Sequence, residues 1–451
     1  MKNTLYKSNQ LIDIVKRVPL DRIFLTTKEL HYTYNDIVKL SNQFKSENPS
    51  FIGRKCAVIS DDRESLALYL PVFDSIFHTI LLLPKDAVEY EGIFLKSAEI
   101  DYLIHLSAGL VSRIVAVSKV QVEHANESST YILATSGTSG VPKLASYSLD
   151  TLVATAKSDI NQGKNFTWGL TYDINRFAGL QVYLQSISSG STLVIPSISA
   201  TMTELITLFS RKSVNSLSGT PSFWRKLLMA PSHGALQLKR ITLGGEISDQ
   251  SVLSALSQRY SSAVIVHIYA STEAGVGFVV KDKKEGFPVS FLAHKPDLEC
   301  QLKITNGNLW IKSTKGCSKY INGNLDIDSE GFLNTGDMVK IEGERVIFLG
   351  RQSGAINVGG NKVMPEKVES ILEHHPSVAM AKVFSKTNPV LGSIVACEVV
   401  VEDSFKCLSL AAVKRDIFSF CKLHLESFEV PVLLKRVDSI SINATGKKAR
   451  N

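Results

Sequence analysis

The stretch "TSGTSGVPK", Thr135–Lys143, directly follows the short apolar run "YILA". It holds two glycines, four hydroxyl side chains, one proline and a single lysine. Glycines allow backbone N–H groups to face an anion, and hydroxyls with a lysine can complete the shell around it. A surface loop would use the same residue types, since they are the usual turn formers. The stretch therefore indicates either a phosphate-binding loop or a plain turn after a strand.

The spacing around the lysine separates this loop from the common P-loop. A Walker A loop requires G-x-x-x-x-G-K-[ST], with the lysine directly after the last glycine. Here Val141 and Pro142 separate the last glycine from Lys143, and Leu144 follows the lysine. A phosphotransferase or NTPase of the P-loop class is therefore disfavoured, while a nucleotide-binding loop of another kind stays open.

The length, composition and net charge of the chain indicate the number of domains and the class of ligand. The chain has 451 residues, of which 44% are hydrophobic and 21% charged, the composition of an ordinary globular protein with two or more domains. The formal net charge of +7 favours anionic ligands such as nucleotides. Because the basic residues are spread along the chain and form no arm, we expect no nucleic-acid partner.

The cysteines and the apolar runs bear on the cellular compartment. The six cysteines show neither a CxxC pair nor a Cys/His metal-binding spacing, so reduced thiols are expected. The first residues lack the apolar core of a signal peptide, and "SIFHTILLLP", Ser75–Pro84, is too short to span a bilayer. We therefore expect a cytoplasmic protein without a membrane span.

Short apolar runs alternate with amphipathic segments along most of the chain. "KCAVIS", "STLVIP" and "SAVIVHIYA" are typical of buried strands. Helical spacing is present in "RESLALYLPVFDSIF", "TMTELITLFSRK" and "QSVLSALSQRY". This alternation predicts an α/β fold, with a large N-terminal domain of several subdomains and mostly parallel sheets over residues 1–350.

The pattern changes near residue 350. "ERVIFLGRQSGAINVGG" ends a β-rich stretch in glycines, and the helix candidate "PEKVESILEHH" follows. The strand candidates "VAMAKVFS", "IVACEVVV" and "LKRVDSI" then flank a second helix candidate, "AAVKRDIFSFCKLHL". These segments predict a small α+β domain over residues 351–451, joined to the rest by a hinge near residues 350–354.

Further short motifs follow the loop in order along the chain. They are "LGGE" (Leu243–Glu246), "YASTEAG" (Tyr269–Gly275), "TGD" (Thr335–Asp337), "GR" (Gly350–Arg351), "GGNKVMPEKVE" (Gly359–Glu369) and "NATGKKAR" (Asn443–Arg450). With "TSGTSGVPK" and the upstream "YTYNDIVKLSNQF" (Tyr32–Phe44), the series resembles the adenylate-forming superfamily of acyl- and aryl-CoA ligases, peptide-synthetase adenylation domains and luciferases. The resemblance spans nearly the whole chain and implies a mobile C-terminal domain.

The resemblance implies a two-step reaction. A carboxylic acid and Mg·ATP give an acyl-adenylate and pyrophosphate, and a pantetheine thiol, of CoA or of an acyl carrier protein, then captures the acyl group. Lys447 would be the catalytic lysine that bridges the substrate carboxylate and the α-phosphate, since positioning and electrostatic stabilisation must do most of the work. Glu273, next to Thr272 in the catalytic motif, would bind Mg²⁺, a hard cation that prefers oxygen ligands.

The resemblance also assigns the nucleotide site. Tyr269 would offer a flat face to adenine, Asp337 would accept both ribose hydroxyls, and Arg351 would add a contact nearby. The residues implied for ATP binding are Thr135, Ser136, Gly137, Thr138, Ser139, Gly140, Lys143, Gly245, Glu246, Tyr269, Ala270, Ser271, Asp337 and Arg351.

Around the acid the sequence departs from many relatives. Arg176 stands where many relatives have an aromatic residue or a histidine, and Asp173 is similar to the residue that holds the substrate ammonium in amino-acid-activating relatives. At the hinge, Ser353 and Gly354 stand where an aspartate or a lysine is common. The residues implied for the acid pocket are Asp173, Arg176, Gly179, Gly244 and Gly275, and those for the thiol tunnel are Gly359 and Gly360.

Two alternatives stay open at this point. An amino-acid-activating enzyme that loads a carrier protein would share these motifs, and a non-catalytic relative could keep the fold for nucleotide binding. Small, apolar and aromatic residues around the expected pocket favour an aryl or medium-sized acid over a long fatty chain. The sequence identifies neither the acid nor the thiol acceptor.

Overall fold

The computed structural model describes residues 10–118, 128–135, 141–293, 299–388, 392–443 and 446–449. Within these residues the strands are β1 (Ile23–Thr26), β2 (His31–Thr33), β3 (Lys55–Ser60), β4 (Thr79–Leu83), β5 (Tyr102–Ser107), β6 (Leu110–Ala116), β7 (Thr130–Ala134), β8 (Leu144–Ser148), β9 (Thr167–Gly169), β10 (Thr192–Val194), β11 (Ser216–Gly219), β12 (Arg240–Gly244), β13 (Val264–Ser271), β14 (Gly275–Val280), β15 (Phe287–Pro288), β16 (Cys300–Thr305), β17 (Asn308–Ser313), β18 (Lys319–Tyr320), β19 (Leu333–Glu342), β20 (Arg345–Arg351), β21 (Ile356–Val358), β22 (Asn361–Val363), β23 (Val378–Asn388), β24 (Gly392–Val401) and β25 (Leu433–Arg436).

The α-helices of the same residues connect these strands. They are α1 (Leu11–Lys16), α2 (Tyr34–Glu47), α3 (Arg63–Asp74), α4 (Glu91–Ser97), α5 (Leu149–Val153), α6 (Ile160–Gly163), α7 (Phe177–Ser189), α8 (Met202–Arg211), α9 (Pro221–Met229), α10 (Gln250–Arg259), α11 (Pro365–His374) and α12 (Leu410–His424).

Two mixed sheets with parallel centres form the first part of the fold. One has the strand order β14-β13-β12-β11-β9-β10-β1-β2, and the other β18-β8-β7-β4-β3-β5-β6. In the first, neighbours from β13 to β1 run parallel; in the second, β7, β4, β3 and β5 do so. A large buried core joins α1, α2, α3 and α7 with strands of both sheets. The predicted α/β class with mostly parallel sheets is confirmed.

Residues between the two mixed sheets and the C-terminal part form a third, antiparallel sheet. Its strand order is β15-β20-β19-β17-β16, and all four neighbouring pairs are antiparallel. It has a core of its own, in which Phe287 and Val346 are fully buried. The sequence indicated only a β-rich stretch here, because strand β19 is partly exposed along most of its length and shows no clear period-two pattern.

The C-terminal sheet has the strand order β22-β21-β24-β23, with β25 parallel to β24. Helices α11 and α12 pack on it through apolar residues such as Val368, Leu372 and Ile417, which are fully buried. The strand and helix candidates beyond residue 350 are found at these places, although the strand in "LKRVDSI" ends at Arg436. The α+β composition follows from this, whereas the domain boundary itself stays a prediction.

Two sequence expectations about the whole chain can be checked directly. All six cysteines lie among the described residues and all are free thiols. None of the helices in the described ranges is long and apolar enough to cross a membrane.

Candidate active site

Several candidate residues lie at or just beyond the carboxyl ends of β12 and β13, at one edge of the first mixed sheet. Strands β11, β12 and β13 run in parallel register, with Gly219 beside Leu243 and Gly244 beside Ile268. The "LGGE" and "YASTEAG" motifs begin in the last residues of β12 and β13 and continue into the turns that follow. Loops beyond the carboxyl ends of parallel strands are where α/β proteins place their ligand sites. Residues from separate parts of the chain therefore meet here because of the sheet register.

The turn between β13 and β14 holds Glu273. A Cβ at Gly275, which has φ +67, would overlap the carbonyl oxygen of Lys315, so the turn packs directly on that backbone. The Cys317 N–H donates to the Glu273 carbonyl oxygen over 2.9 Å. Within the turn, the Ala274 N–H donates to Ser271 Oγ over 3.0 Å. Glu273 is thus held at a fixed position beside Thr272, with the close approach made possible by the glycine.

Tyr320 joins Glu273 to the lysine of the glycine-rich loop. Its hydroxyl donates to Glu273 Oε1 over 2.6 Å, and Lys143 Nζ lies 4.9 Å from the centre of its ring. Burial and the Glu273 carboxylate both raise the pKa of Tyr320, so the phenol remains a donor. A cation over an aromatic ring is attracted by the ring quadrupole. The candidate phosphate and metal residues are therefore neighbours.

The described ends of the glycine-rich loop are paired with each other. The Thr135 N–H donates to the Lys143 carbonyl over 2.8 Å, and the Lys143 N–H donates to Thr135 Oγ1 over 3.1 Å. Asn322 holds the second end, since its Oδ1 accepts from the Leu144 N–H over 2.6 Å. The predicted phosphate ligands Ser136, Gly137, Thr138, Ser139 and Gly140 lie outside the described residues.

Asp337 is the centre of a second polar cluster at the site. The Tyr269 hydroxyl donates to Asp337 Oδ2 over 2.6 Å, and Arg351 Nε lies 3.1 Å from Asp337 Oδ1. The ring of Tyr269 is parallel to those of Phe278 and Phe348, with centroids 5.1 and 5.5 Å away. Burial and Asp337 raise the pKa of Tyr269, so it stays a neutral donor. The adenine contact of Tyr269 and the ribose contact of Asp337 stay predictions.

The segment after β12 meets the C-terminal lysine pair. A Cβ at Gly245, which has φ +84, would lie 3.7 Å from Lys447 Cε. Glu246 accepts from the Ser222 N–H with Oε2 over 2.9 Å and from the Lys448 N–H with Oε1 over 3.0 Å. The two motifs, about 200 residues apart in the chain, are therefore in contact.

Lys447 is buried among both basic and acidic side chains of the site. Burial lowers its pKa from the ordinary lysine value, and Arg351 lowers it further. The carboxylates of Glu246, Asp337 and Glu273 act against this shift. These neighbours are the residues implied for the nucleotide, so the amine of Lys447 lies at the predicted reaction centre.

Both charged residues of the predicted acid pocket, Asp173 and Arg176, form ion pairs with residues outside that prediction. Arg63 Nε lies 2.6 Å from Asp173 Oδ1, with both side chains largely buried. Arg176 forms an ion pair with Asp86 and donates to the Ala134 carbonyl over 3.4 Å. An amino-acid substrate would need a carboxylate available for its ammonium, and Asp173 already neutralises an arginine.

Three other glycines of the predicted pocket and tunnel allow a close backbone contact or a tight turn. A Cβ at Gly179 would overlap the carbonyl oxygen of Asp173, so the start of α7 packs closely on that segment. Gly359 and Gly360, with φ +56 and +93, form the turn of the β21–β22 hairpin. Both central residues of such a tight turn need positive φ. A Cβ at Gly244 would make an ordinary contact of 3.5 Å with the Ile268 carbonyl oxygen. The pocket and tunnel roles of these glycines stay predictions.

Several residues at the site carry no motif in the sequence. Tyr320 and Asn322 contact the glycine-rich loop and Glu273 from a strand and loop that the sequence did not single out. Thr220 caps α9 by accepting from the Phe223 N–H over 3.1 Å, and its hydroxyl also donates to the Gly446 carbonyl. No local signal identifies Tyr320 and Asn322, because their partners are far away in the chain, and the local cap of Thr220 does not indicate its contact with Gly446.

Comparison with known proteins places the chain in a family. It belongs to the AMP-binding enzyme family, whose model matches residues 78–310, and the model of the AMP-binding enzyme C-terminal domain matches residues 367–447. A similar curated protein is the 2-succinylbenzoate–CoA ligase of Staphylococcus aureus (strain MRSA252), 22% identical over 336 residues. That alignment covers 71% of this chain and 65% of the relative, so just under two thirds of the relative's length.

Solved structures share the fold. An anthranilate CoA ligase in complex with anthranoyl-AMP has a TM-score of 0.78 at 17% identity, over 97% of this chain and 95% of its own. The o-succinylbenzoate CoA synthetase of Bacillus subtilis in complex with ATP and magnesium has a TM-score of 0.72 at 19% identity, over 98% of each chain. The recognition of the adenylate-forming superfamily from sequence motifs is confirmed.

Proposed function

We propose that this protein is an AMP-forming acid–thiol ligase. It activates a carboxylic acid with Mg·ATP as an acyl-adenylate, releases pyrophosphate, and passes the acyl group to the thiol of CoA. The observation that carries the proposal is the position of the C-terminal lysine beside residues implied for the nucleotide. The Lys448 N–H donates to Glu246 over 3.0 Å, and a Cβ at Gly245 would lie 3.7 Å from Lys447 Cε. The names of the relatives, which are aryl-acid CoA ligases, support the same reaction.

The main obstacle in the first step is charge. A carboxylate oxygen attacks the α-phosphorus, and the bond from that phosphorus to the pyrophosphate oxygen breaks. Both partners are anions, so a cation between them stabilises the transition state more than the separate reactants. Lys447 supplies that cation, and Lys143 at the glycine-rich loop balances the charge of the departing pyrophosphate.

Magnesium fits the residues at this site. Mg²⁺ usually binds through one or two carboxylates together with substrate phosphates. Glu273 offers one carboxylate, which Tyr320 orients through its hydroxyl over 2.6 Å. The described residues contain no cluster of three or more His, Cys, Asp or Glu that could hold a metal ion. A magnesium ion held by Glu273 would supply positive charge against the phosphates of ATP.

The second step needs a different arrangement of the two parts of the chain. We place the hinge at residues 350–354 between a domain of residues 1–350 and one of residues 351–451. Gly350 supports this position, because its φ of +138 is rarely adopted by other residues. The separate core of α11, α12 and the C-terminal sheet also supports it. Turning at the hinge withdraws Lys447 and leaves room for a thiol, with Gly359 and Gly360 beside its path.

The acid is an aryl or medium-sized carboxylic acid rather than an amino acid. The Arg63–Asp173 ion pair argues against an ammonium site. CoA is the proposed acceptor, and an acyl carrier protein is the alternative partner. The free thiols of all six cysteines are in keeping with the reducing cytoplasm, where ATP and CoA are available.

The test is pyrophosphate release from Mg·ATP with a panel of aryl, short-chain, medium-chain and amino acids, with hydroxylamine present to trap adenylates. We expect a sharp response to one class of acid, followed by thioester formation on adding CoA. Lys447→Ala should lower adenylate formation by about 10² or more, since it removes charge stabilisation of the transition state. Thiol capture from a prepared acyl-adenylate should persist.

The control is Lys422→Ala, which removes an exposed lysine of α12. It should leave both steps unchanged. No release with any acid, although ATP still binds, would favour the non-catalytic alternative. A response to amino acids alone would favour the amino-acid-activating alternative, and equal loss of both steps in Lys447→Ala would contradict the role given to the lysine.

A further inference from the structure

The residue after the proposed catalytic lysine is also a lysine, and it is buried. The side chain of Lys448 is only 9% exposed, and its Nζ lies 3.0 Å from Glu369 and 2.8 Å from Glu373. Burial alone lowers the pKa of Lys448, but the two carboxylates together raise it above the ordinary value. A lysine exposed to solvent would show neither the effect of burial nor that of the carboxylates on its pKa. Lys448 is therefore held as a cation between two residues of α11.

The backbone on both sides of Lys447 is bound to the first part of the chain. The carbonyl of Gly446 accepts from the hydroxyl of Thr220, and the N–H of Lys448 donates to Glu246 over 3.0 Å. Gly446 has φ +76, and a Cβ there would lie only 3.2 Å from Thr220 Cγ2. Lys447 therefore has an anchored residue before it and another after it.

The ion pairs of Lys448 with α11 are connected to the first part of the chain through the shared carboxylate of Glu373. Glu373 accepts from Lys448 and also pairs with Arg225 of α9 over 3.1 Å. Arg225 pairs in turn with Asp249, which caps α10, over 2.6 Å. All four side chains are at most 9% exposed. Removing one charge from such a buried group leaves its partners uncompensated.

We propose that Lys448 is a positioning residue for adenylate formation. Its ammonium fixes the terminal segment on Glu369 and Glu373, and this holds Lys447 against Gly245 in the orientation that the first step needs. The inference rests on the proposed function. The Arg225–Glu373 pair joins the two parts of the chain in this orientation, so the same contacts favour the first step and are given up when the domain turns for the second.

The test compares three variants in the full chain. Lys448→Met removes the charge at similar length, Lys448→Arg keeps a cation, and Lys422→Met alters an exposed lysine of α12 as the control. We expect Lys448→Met to lower the single-turnover rate of adenylate formation by about 10²-fold, because a misplacement near 1 Å has that effect. The KM for ATP should change little, since the described ion pairs of the Lys448 side chain are with Glu369 and Glu373 of α11. Lys448→Arg should recover most of the rate, and thiol capture from a prepared acyl-adenylate should be unaffected.

Three outcomes would overturn the proposal: an unchanged first step in Lys448→Met, an equal loss in both steps, or an arginine variant as slow as the methionine one. Should Lys448→Met not fold, Glu373→Gln takes its place, because it keeps the shape and removes one of the two carboxylates. It must slow the first step more than the second, and equal effects would overturn the proposal in the same way.

A failure of the proposed function can be told apart from a failure of this inference. If the unaltered chain forms no adenylate with any acid, the reaction is wrong, and Lys448 is then tested by labelling alone. An amine-reactive reagent with mass spectrometry gives the labelling rate of Lys447. We expect it to rise several-fold in Lys448→Met, and the same rate in both proteins would contradict the positioning role.

Discussion

Both carboxylate oxygens of Asp337 already have partners within the protein. One accepts from Tyr269 over 2.6 Å and the other is 3.1 Å from Arg351. A ribose bound here would meet a carboxylate whose orientation is already fixed, so little ordering is needed on binding. The residue thus fits a nucleoside site through its neighbours as well as through its charge.

Asp337→Asn should weaken ATP binding about tenfold, because hydrogen bonds to a charged group contribute about 1.5–3 kcal/mol and the amide keeps only part of them. Calorimetry with a non-hydrolysable ATP analogue measures the affinity. Glu342→Gln, at the exposed end of the same strand, serves as the control and should bind normally. An unchanged affinity in Asp337→Asn would remove this residue from the ribose site.

Sequence motifs singled out some of the candidate site residues and missed others. Glu273 and Lys447 are candidates from the sequence because a short local pattern surrounds each of them, and their roles stay predictions. Tyr320 could not be singled out, because its partners Lys143 and Glu273 are 177 and 47 residues away and only the sheet register brings them together. The pairing of Asp173 with Arg63, 110 residues apart, was beyond prediction for the same reason.

At the scale of an element, local chemistry explains why many boundaries were predictable. Helix α2 begins with a capping box, in which Thr33 accepts from the Asp36 N–H and Asp36 accepts in return. Such signals lie within four residues and can be read from the sequence. The antiparallel sheet of β15, β20, β19, β17 and β16 was harder to predict strand by strand. Although β16–β17 and β19–β20 are hairpins of sequence neighbours, β19 is partly exposed along most of its length and shows no clear alternation of buried and exposed residues.

The β13–β14 turn offers a test of one such element. Gly275→Ala should lower the free energy of unfolding by about 2 kcal/mol or more, because the new Cβ requires an unfavourable positive φ and overlaps the Lys315 carbonyl. Pyrophosphate release should fall as well, since Glu273 sits in the same turn. Urea unfolding measures the first effect and the coupled pyrophosphate assay the second.

Gly92→Ala provides the comparison for that substitution. Gly92 lies in α4, and no atom is within 4 Å of a Cβ built there. Alanine should stabilise the helix by up to about 1 kcal/mol and leave activity unchanged. If both variants behaved alike, the close backbone approach at Gly275 would not be the cause.

At the scale of the whole molecule, some buried ionisable groups have partners of opposite charge, and Asp74 has hydrogen-bond donors instead. Arg225 and Lys448 are each surrounded by carboxylates, and their pKa values are raised accordingly. Asp74 is fully buried among apolar residues of the main core without a basic partner among its described contacts. It accepts from the Tyr131 hydroxyl over 2.7 Å and from the N–H of Leu11, which ties the first helix to the core.

This placement makes stability depend on pH. Burial raises the pKa of Asp74 to about 6, against hydrogen bonds from Tyr131 and Leu11 that lower it. The folded state therefore binds a proton that the unfolded state has already released between about pH 4 and 6. The resulting stabilisation is complete below the unfolded pKa and is lost as the pH rises through about 6.

Asp74→Asn isolates this contribution, because the amide does not titrate while all other groups are shared. From pH 5 to pH 8 the unaltered protein should lose about 1 kcal/mol of unfolding free energy relative to the variant, as the raised pKa requires. Urea unfolding of both proteins at several pH values measures the difference. The variant also loses one acceptor, which shifts its stability by an amount independent of pH. A difference that stays constant from pH 5 to pH 8 would mean that Asp74 does not titrate in this range in the folded protein.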